Sequence, residues 1–369
     1  MAVGATDPDT LLVAAREGDE DAYGRLVDLY RPELHAHCYR MTGSVHDADD
    51  ALQDALLRAW KGLPRFEGRS SLKSWFYRIA TNTSLDVIGR RPKRVLPIDY
   101  GGATDPHEGP GMPLPESAWV EPYPDEQLGL QDGFASPDAR YELRESVELA
   151  FVAALQHLPA RQRAVLILRE VLGFSAKEVA DELDSTVASV NSALQRARAT
   201  LDQKLPERTQ QATLRSLGDE ELRDLVDRYV EAWERNDVDA VVELLTEDAA
   251  ISMPPLASWF GPRDVFREFL ERSPMSGEFH WRTQRTTANG QPAIAYYHLD
   301  AESGTYIPFA LNVLTVRDGR IADVVAFIVR TLDVPDPEAF HRWTDYDTDA
   351  QRLNTVFERF GLPDSLPAA

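Results

Sequence analysis

Apolar residues recur along the first quarter of the chain with the 3.6-residue period of a buried helix face. In DADDALQDALLRAW (47–60), Ala51, Leu52, Ala55, Leu56, Ala59 and Trp60 share one side, and Asp47, Asp50 and Asp54 share the other. A second helix is predicted from about Leu72 to Ile88, behind a polar loop, Pro64 to Ser71. The period is lost over 95–139, where eight prolines and six glycines predict a largely extended linker. Within it, Trp119-Val-Glu-Pro-Tyr-Pro-Asp125 sets two aromatics among prolines and acids, a pattern that fits a docking segment as well as a solvated one. Helical periodicity returns over 140–205. ARYELRESVELAFVAALQHL predicts one long helix, and Pro159 opens the next. Ser175 caps AKEVADEL, Asp184-Ser-Thr makes a turn, and VASVNSALQRARATL follows, which is a helix-turn-helix pattern.

From about 214 the pattern becomes mixed. LRDLVDRYVEAWERND, DVDAVVELLTED and GPRDVFREFLER read as amphipathic helices. Strand-like runs then come in pairs: 279–288 with 292–299 around Asn289-Gly290, and 309–317 with 320–330 around Asp318-Gly319. Asn-Gly and Asp-Gly favour tight hairpins because both turn residues need positive φ. Helices followed by an antiparallel meander predict an α+β domain over 214–332. The tail 333–369 is polar and acidic, with one helix expected near 350–359.

Charge divides the chain further. The formal net charge is -22, yet residues 54–94 hold ten Lys/Arg against three acids. Residues 95–139 hold nine acids and no Lys or Arg; residues 206–369 hold 29 acids against 16 arginines. Such asymmetry predicts parts with different roles. The single cysteine, Cys38, cannot form an internal disulfide, and no apolar run is long enough to span a bilayer, so a cytoplasmic protein without a membrane partner is expected.

The basic stretch RFEGRSSLKSWFYRIATN interleaves Arg65, Arg69, Lys73 and Arg78 with Phe66, Trp75, Phe76 and Tyr77. Cations that hold phosphates beside aromatic faces that stack on bases suit single-stranded nucleic acid, and a Gly/Ser loop beside them suits a flipped base. Asn82 and Thr83 follow on the helix as candidate readers of base edges, whereas Trp75 and Ile79, at i and i+4, equally suit a core. The second helix of the helix-turn-helix offers Ser189, Asn191, Ser192, Gln195, Arg196 and Arg198 to a DNA groove. His35, His37 and Cys38 lack zinc-site spacing, so neither a metal nor any other cofactor is expected.

These features together resemble the bacterial extracytoplasmic-function (ECF) sigma factors of the sigma-70 family. Residues 10–94 resemble region 2 through HCYRMTGSVHDADDALQDALLRAW, RFEGRSSLKSWFYRIATN and RRPKR. Residues 140–205 resemble region 4 through LPARQRAVLILREVLGFSAKEVADEL and SVNSALQRARATL. The resemblance implies that Asp49, Asp50, Gln53, Asp54 and Arg58 dock on the β′ subunit of core RNA polymerase, whose β subunit is a further expected partner. It implies that Arg65, Phe66, Arg69, Ser70, Lys73, Trp75, Arg78, Asn82, Arg90, Arg91 and Arg94 melt and hold the -10 element of promoter DNA, and that the helix-turn-helix reads the -35 element. Asn191 and Ala193 stand where members commonly carry Lys and Arg, which makes this helix less cationic than usual.

Residues 214–332 resemble the SnoaL-like branch of the NTF2-like superfamily through AWERNDVDAVVELLTEDAAISMPP, GPRDVFREFL and GRIADVVAFI. ANGQPA, MPP and FGLPDSL are similar to segments of the mycobacterial sigma G-type group. The implied fold is all-α regions 2 and 4 followed by an α+β NTF2-like cone that contacts them. Tyr229, Trp233, His280, Tyr296, His298 and Asn312 are its candidate pocket residues, open to an unidentified small ligand. Asp248, His280, His298 and Tyr229 are the candidates for acid-base chemistry, with Asp248 read as a cap or turn residue; a regulatory module, not an enzyme, is the leading expectation.

Overall fold

The computed structural model describes residues 7–109, 119–128, 142–301, 303–329 and 355–368. The remainder of the acidic linker and most of the tail lie outside them. The chain divides into two compact units, Met1–Lys93 with Glu126–Leu205, and Arg94–Asp125 with Pro206–Ala369.

The first unit is helical. Helices α1 (Pro8–Arg16) to α5 (Leu72–Ile88) include α3 (Arg31–Thr42) and α4 (Val45–Gly62). The Ser44 hydroxyl caps α4 by accepting from the Asp47 amide, and Ser71 caps α5 by accepting from Ser74. The apolar stripe of α4 is buried at Ala48, Ala51, Leu52, Ala55 and Ala59. The helix predicted over 139–158 is interrupted at 146–148, and α6 (Leu149–Gln156) follows the break. Just before it, the Ser146 hydroxyl accepts from the buried Arg40 at 3.0 Å and donates to the Leu143 carbonyl at 2.6 Å. α7 (Ala160–Leu166) carries Arg163, which is buried and donates to the carbonyls of Gln156 and Leu158 at 3.3 and 3.2 Å, and to that of Met41 on α3. This one guanidinium ties the two helical halves together.

α8 (Ala176–Glu182) opens with a complete capping box, Ser175 and Glu178 each bonding the other's amide. Asp184 takes positive φ (47°) in the turn, and Thr186 caps α9 (Val187–Leu201). Val190, Leu194, Ala197 and Leu201 bury one face of α9.

The second unit is built on a six-stranded sheet in the order β2-β1-β6-β5-β4-β3. Its strands are β1 (Leu245–Ser252), β2 (Trp259–Phe260), β3 (Trp281–Ala288), β4 (Gln291–Asp300), β5 (Thr305–Arg317) and β6 (Arg320–Ile328). Both predicted hairpin turns form, with positive φ at Asn289 and Gly290 and at Asp318 and Gly319. β1 departs from the predicted pattern: the helix expected through residue 248 stops at Glu243, and Leu245 pairs in parallel with Ile321 of β6. The Ile321 amide donates to the Leu244 carbonyl at 2.9 Å, so the free edge of β6 captures the chain there. Asp248 therefore sits within an edge-proximal strand, exposed and paired with Arg317.

Helices α10 (Gln210–Leu217), α11 (Asp219–Glu234), α12 (Val238–Glu243) and α13 (Arg263–Arg272) accompany the sheet. Gln210 bonds both the amide and the carbonyl of Val316, at 2.9 and 2.7 Å, where β5 bulges. Tyr229 and Trp233 of α11, Phe266 and Leu270 of α13, and Trp281, Ile294, Tyr296 and Leu314 of the strands form one buried core.

The described part of the linker is no solvated tether. Val95 bridges Trp119, and Pro124 bridges Ala288 at the end of β3. Trp119, Val120 and Tyr123 are 4%, 0% and 0% exposed, which places Trp119–Asp125 in the second unit's packing. The Trp119 indole donates to the Pro255 carbonyl at 2.8 Å, and Tyr123 and Asn289 exchange two hydrogen bonds of 2.9 Å. The end of the chain docks on the same sheet: Tyr306 pairs with Leu366, and the Tyr297 hydroxyl donates to the Pro363 carbonyl at 3.0 Å.

Candidate nucleic-acid interface

The solvent face of α4 carries Asp49, Asp50, Gln53, Asp54 and Arg58, all exposed. Arg58 reaches Asp86 at 3.0 Å and Asp54 at 3.6 Å, and Asp49 meets His35 at 3.0 Å. The two Arg58 pairs, exposed on both sides, contribute about 0–1 kcal/mol each and leave that part of the face available. Leu57 lies one turn beyond Gln53 and Asp54 and is 52% exposed. Charge counting passes over it; the signal was an apolar residue on the acidic side of the helix.

The loop before α5 exposes Arg65, Arg69 and Ser70, with Gly68 at φ 72°. Phe66 is buried against Trp75 (centroids 5.1 Å), so it supports the loop and offers no free face. Trp75 is half-buried between Phe66 and Phe76. Lys73, Arg78 and Asn82 point outward from α5, followed by exposed Arg90 and Arg91. Thr83 is buried and donates to the Ile79 and Ala80 carbonyls, which removes it from the base-reading set. Arg94 also leaves the DNA-binding set: it is 9% exposed, donates to the Trp119 carbonyl at 2.7 Å and pairs with Glu121. Its guanidinium holds the linker and is closed to phosphate in this arrangement.

Several of these cations are already paired. Lys73 meets Glu33 at 2.6 Å, Arg91 meets the buried Asp47 at 3.6 Å, and Arg78 meets Asp184 of the helix-turn-helix at 3.4 Å. Beside Arg78, burial raises the Glu182 carboxyl to about 7, with Glu178 adding to the rise and Ser74 and Arg78 offsetting part of it. The turn of the helix-turn-helix thus sits on the basic helix. On α9, Ser189, Asn191, Ser192, Gln195, Arg196 and Arg198 are all exposed on one side; Arg198 is drawn to Glu170.

His37 is buried, its Nε2 2.9 Å from the Thr81 hydroxyl, and burial drives its pKa down to about 3. Cys38 is buried and its thiol is pushed up to about 12 by desolvation. Among the described residues no group of three His, Cys, Asp or Glu could hold a metal ion.

In the sheet unit, Tyr229, Trp233, Tyr296 and Asn312 meet in the interior at 0–3% exposure. His298 is half-buried at its edge beside Trp281 and Phe309. His280 is exposed and leaves the pocket set: Trp281 takes the inward position, so its neighbours His280 and Arg282 face away.

The sigma-70 region 2 family model matches residues 26–94, the sigma-70 region 4 model residues 148–201, and the SnoaL-like domain model residues 226–324. The ECF RNA polymerase sigma factor SigG of Mycobacterium tuberculosis is 40% identical over 365 residues, 97% of this chain and 90% of that protein. The chain belongs to the ECF RNA polymerase sigma factors. The ECF sigma factor SigW of Bacillus subtilis is 30% identical over 191 residues, 52% of this chain and 92% of its own length. The crystal structure of the M. tuberculosis ECF sigma factor SigJ shares the fold, with a TM-score of 0.52 at 19% identity over 82% of this chain and 95% of that one. This sigma factor therefore joins helical regions 2 and 4 to a C-terminal SnoaL-like α+β domain. No helix among its described residues is long and apolar enough to cross a membrane.

Proposed function

We propose that this sigma factor binds core RNA polymerase in the cytoplasm through α4, with Asp49, Asp50, Gln53, Asp54 and Arg58 facing the β′ subunit and Leu57 as an apolar contact among them. Region 4 contacts the β subunit as well as the DNA. Arg65, Arg69, Ser70, Lys73, Trp75, Arg78, Asn82, Arg90 and Arg91 hold the -10 strand, and α9 reads the -35 element. The observation that carries this reading is the outward row of Lys73, Arg78 and Asn82 on α5 beside a half-open Trp75. The ion pairs that occupy Lys73 and Arg78 are exposed, so phosphates can displace Glu33 and Asp184 at about 1 kcal/mol each.

The SnoaL-like module is proposed to regulate, not to catalyse. Asp248 and His280, candidates for proton transfer, are exposed on strand and loop surfaces. Its hold on Trp119–Asp125 gives it direct purchase on the connector between regions 2 and 4. The test is promoter-specific transcription with bacterial core polymerase, on DNA from upstream of this protein's own coding sequence. Full-length protein should bind core and initiate. D50A/D54A should lose core binding; K73A/R78A should keep it and lose open-complex formation. Failure of the full-length protein to bind core would overturn the reading.

A further inference from the structure

The buried row Val190, Leu194, Ala197 and Leu201 fixes which side chains of α9 face outward. Asn191 and Gln195 each follow a buried residue by one position, which sets them in a row about a quarter-turn from the buried face. Both are exposed. Four residues apart, they are separated by a rise of about 6 Å, against about 3.4 Å per base pair of duplex DNA. Arg198 continues the same row one turn further on, but its guanidinium is bound to the Glu170 carboxylate. Charge-assisted hydrogen bonds are about twice as strong as neutral ones, so a neutral base edge does not take Arg198 from Glu170. Arg196 is exposed about 140° round from Asn191, on the flank that carries Ser189, and an arginine beside a serine there suits a phosphate. The row that remains open to base edges is therefore a pair of amides without a cation.

We propose that Asn191 selects adenine at one base pair of the -35 element, and that Gln195 selects a second adenine one or two base pairs away. This rests on the reading of α9 as the -35 helix. The chemistry of the amide dictates the base. A carboxamide presents an acceptor oxygen and an NH₂ donor side by side. In the major groove adenine alone presents the matching pair, N7 as acceptor and N6 as donor. Guanine presents two acceptors, N7 and O6, and one of them would face the amide oxygen. Cytosine offers a donor only, and thymine an acceptor beside a methyl group. The position agrees with the chemistry. Recognition helices contact base edges through their N-terminal residues. Asn191 is the fifth residue of α9, and Thr186 caps the helix through the Ser189 amide at 3.1 Å. Val187, Ala188 and Ser189 ahead of it are exposed as well, so that end of the helix is open to a groove.

The test uses bacterial core RNA polymerase carrying the full-length protein. Random-sequence duplex DNA, long enough to hold both promoter elements, is selected for complexes that survive heparin, and the bound sequences are read. The parent should favour adenine over guanine by about five- to 150-fold at two base pairs no more than two steps apart in the upstream element. N191R should move one of these preferences to guanine and leave the other at adenine, because arginine pairs bidentately with guanine O6 and N7. Q195A should erase the second preference and leave the first. A merely structural role would weaken binding to all sequences alike and leave the base preferences in place. Three results would each overturn the proposal: an upstream element without the two adenines, an adenine preference that N191R leaves unmoved, or a second preference that survives Q195A. Both side chains are exposed, so neither change touches the buried row; should N191R fold poorly, Q195A still decides at its own base pair. Selection of no sequence at all by the parent would overturn the promoter reading itself, and this inference with it. A selected promoter that lacks the two adenines would overturn this inference alone.

Discussion

Trp119→Ala should release the connector from the sheet domain. The side chain is 4% exposed, its indole donates to the Pro255 carbonyl at 2.8 Å, and Tyr100 packs edge-on at 5.4 Å. Truncating a buried tryptophan costs about 3–5 kcal/mol, and the Pro255 carbonyl loses its donor as well. The loss falls on local docking, because the sheet core is built from other residues. Hydrogen exchange of the intact protein reads it. The amides of Tyr123, Asn289 and Gly290 bond Asn289 Oδ1, the Tyr123 carbonyl and Asp125 Oδ1 at 2.9, 2.9 and 2.7 Å. A loss of about 3 kcal/mol at about 1.4 kcal/mol per factor of ten predicts that their exchange accelerates by about a hundredfold. Amides between β4 and β5 should not change. Trp259→Phe, which removes the 2.9 Å bond to the Gly101 carbonyl and keeps an aromatic ring, is the control and should change exchange by less than about tenfold. If Trp119→Ala leaves the three amides within about fivefold of the parent, Trp119 does not anchor the segment and the regulatory reading loses its support.

Three further outcomes are expected. Arg163→Ala leaves the Met41, Gln156 and Leu158 carbonyls without their buried donor, and chemical denaturation should show a loss of about 3–5 kcal/mol. Leu57→Ser should weaken core binding in a pull-down or titration while leaving the melting temperature nearly unchanged, since the side chain is already 52% exposed. Glu182 keeps a proton when folded (pKa about 7) that the unfolded chain releases near 4.5. Its contribution is full below 4.5 and is lost as pH rises through about 7, so denaturation midpoints should fall across that window. Glu182→Gln should flatten the fall; an unchanged pH profile would count against the neutral carboxyl.

Local chemistry made much of this architecture legible. Asn289-Gly290 and Asp318-Gly319 announced their turns because few other pairs take positive φ twice in succession. Ser175 announced the start of α8 because an uncapped amide needs an acceptor. What escaped depended on distant partners. Leu245 became a strand because β6, over seventy residues later, offered an edge. Arg94 looked like the end of a basic cluster until Trp119 and Glu121 closed on it. His280 reads as a pocket residue in the sequence because strand phase is invisible until one residue, here Trp281, is known to point inward. Tyr229, Trp233, Tyr296 and Asn312 were individually nameable, but their meeting in one interior belongs to the packing alone.

The connector also has a mechanical meaning. Freed, the 32 residues of 94–125 would reach about 110 Å at 3.3–3.6 Å per residue. In the folded chain Val95 bridges Trp119, so everything between them is a closed loop that adds nothing to the span. Only the stretch from Trp119 to Asp125 still counts as rope, about 25 Å of it. The sheet domain is in this sense a knot tied in the tether between the two promoter-reading halves.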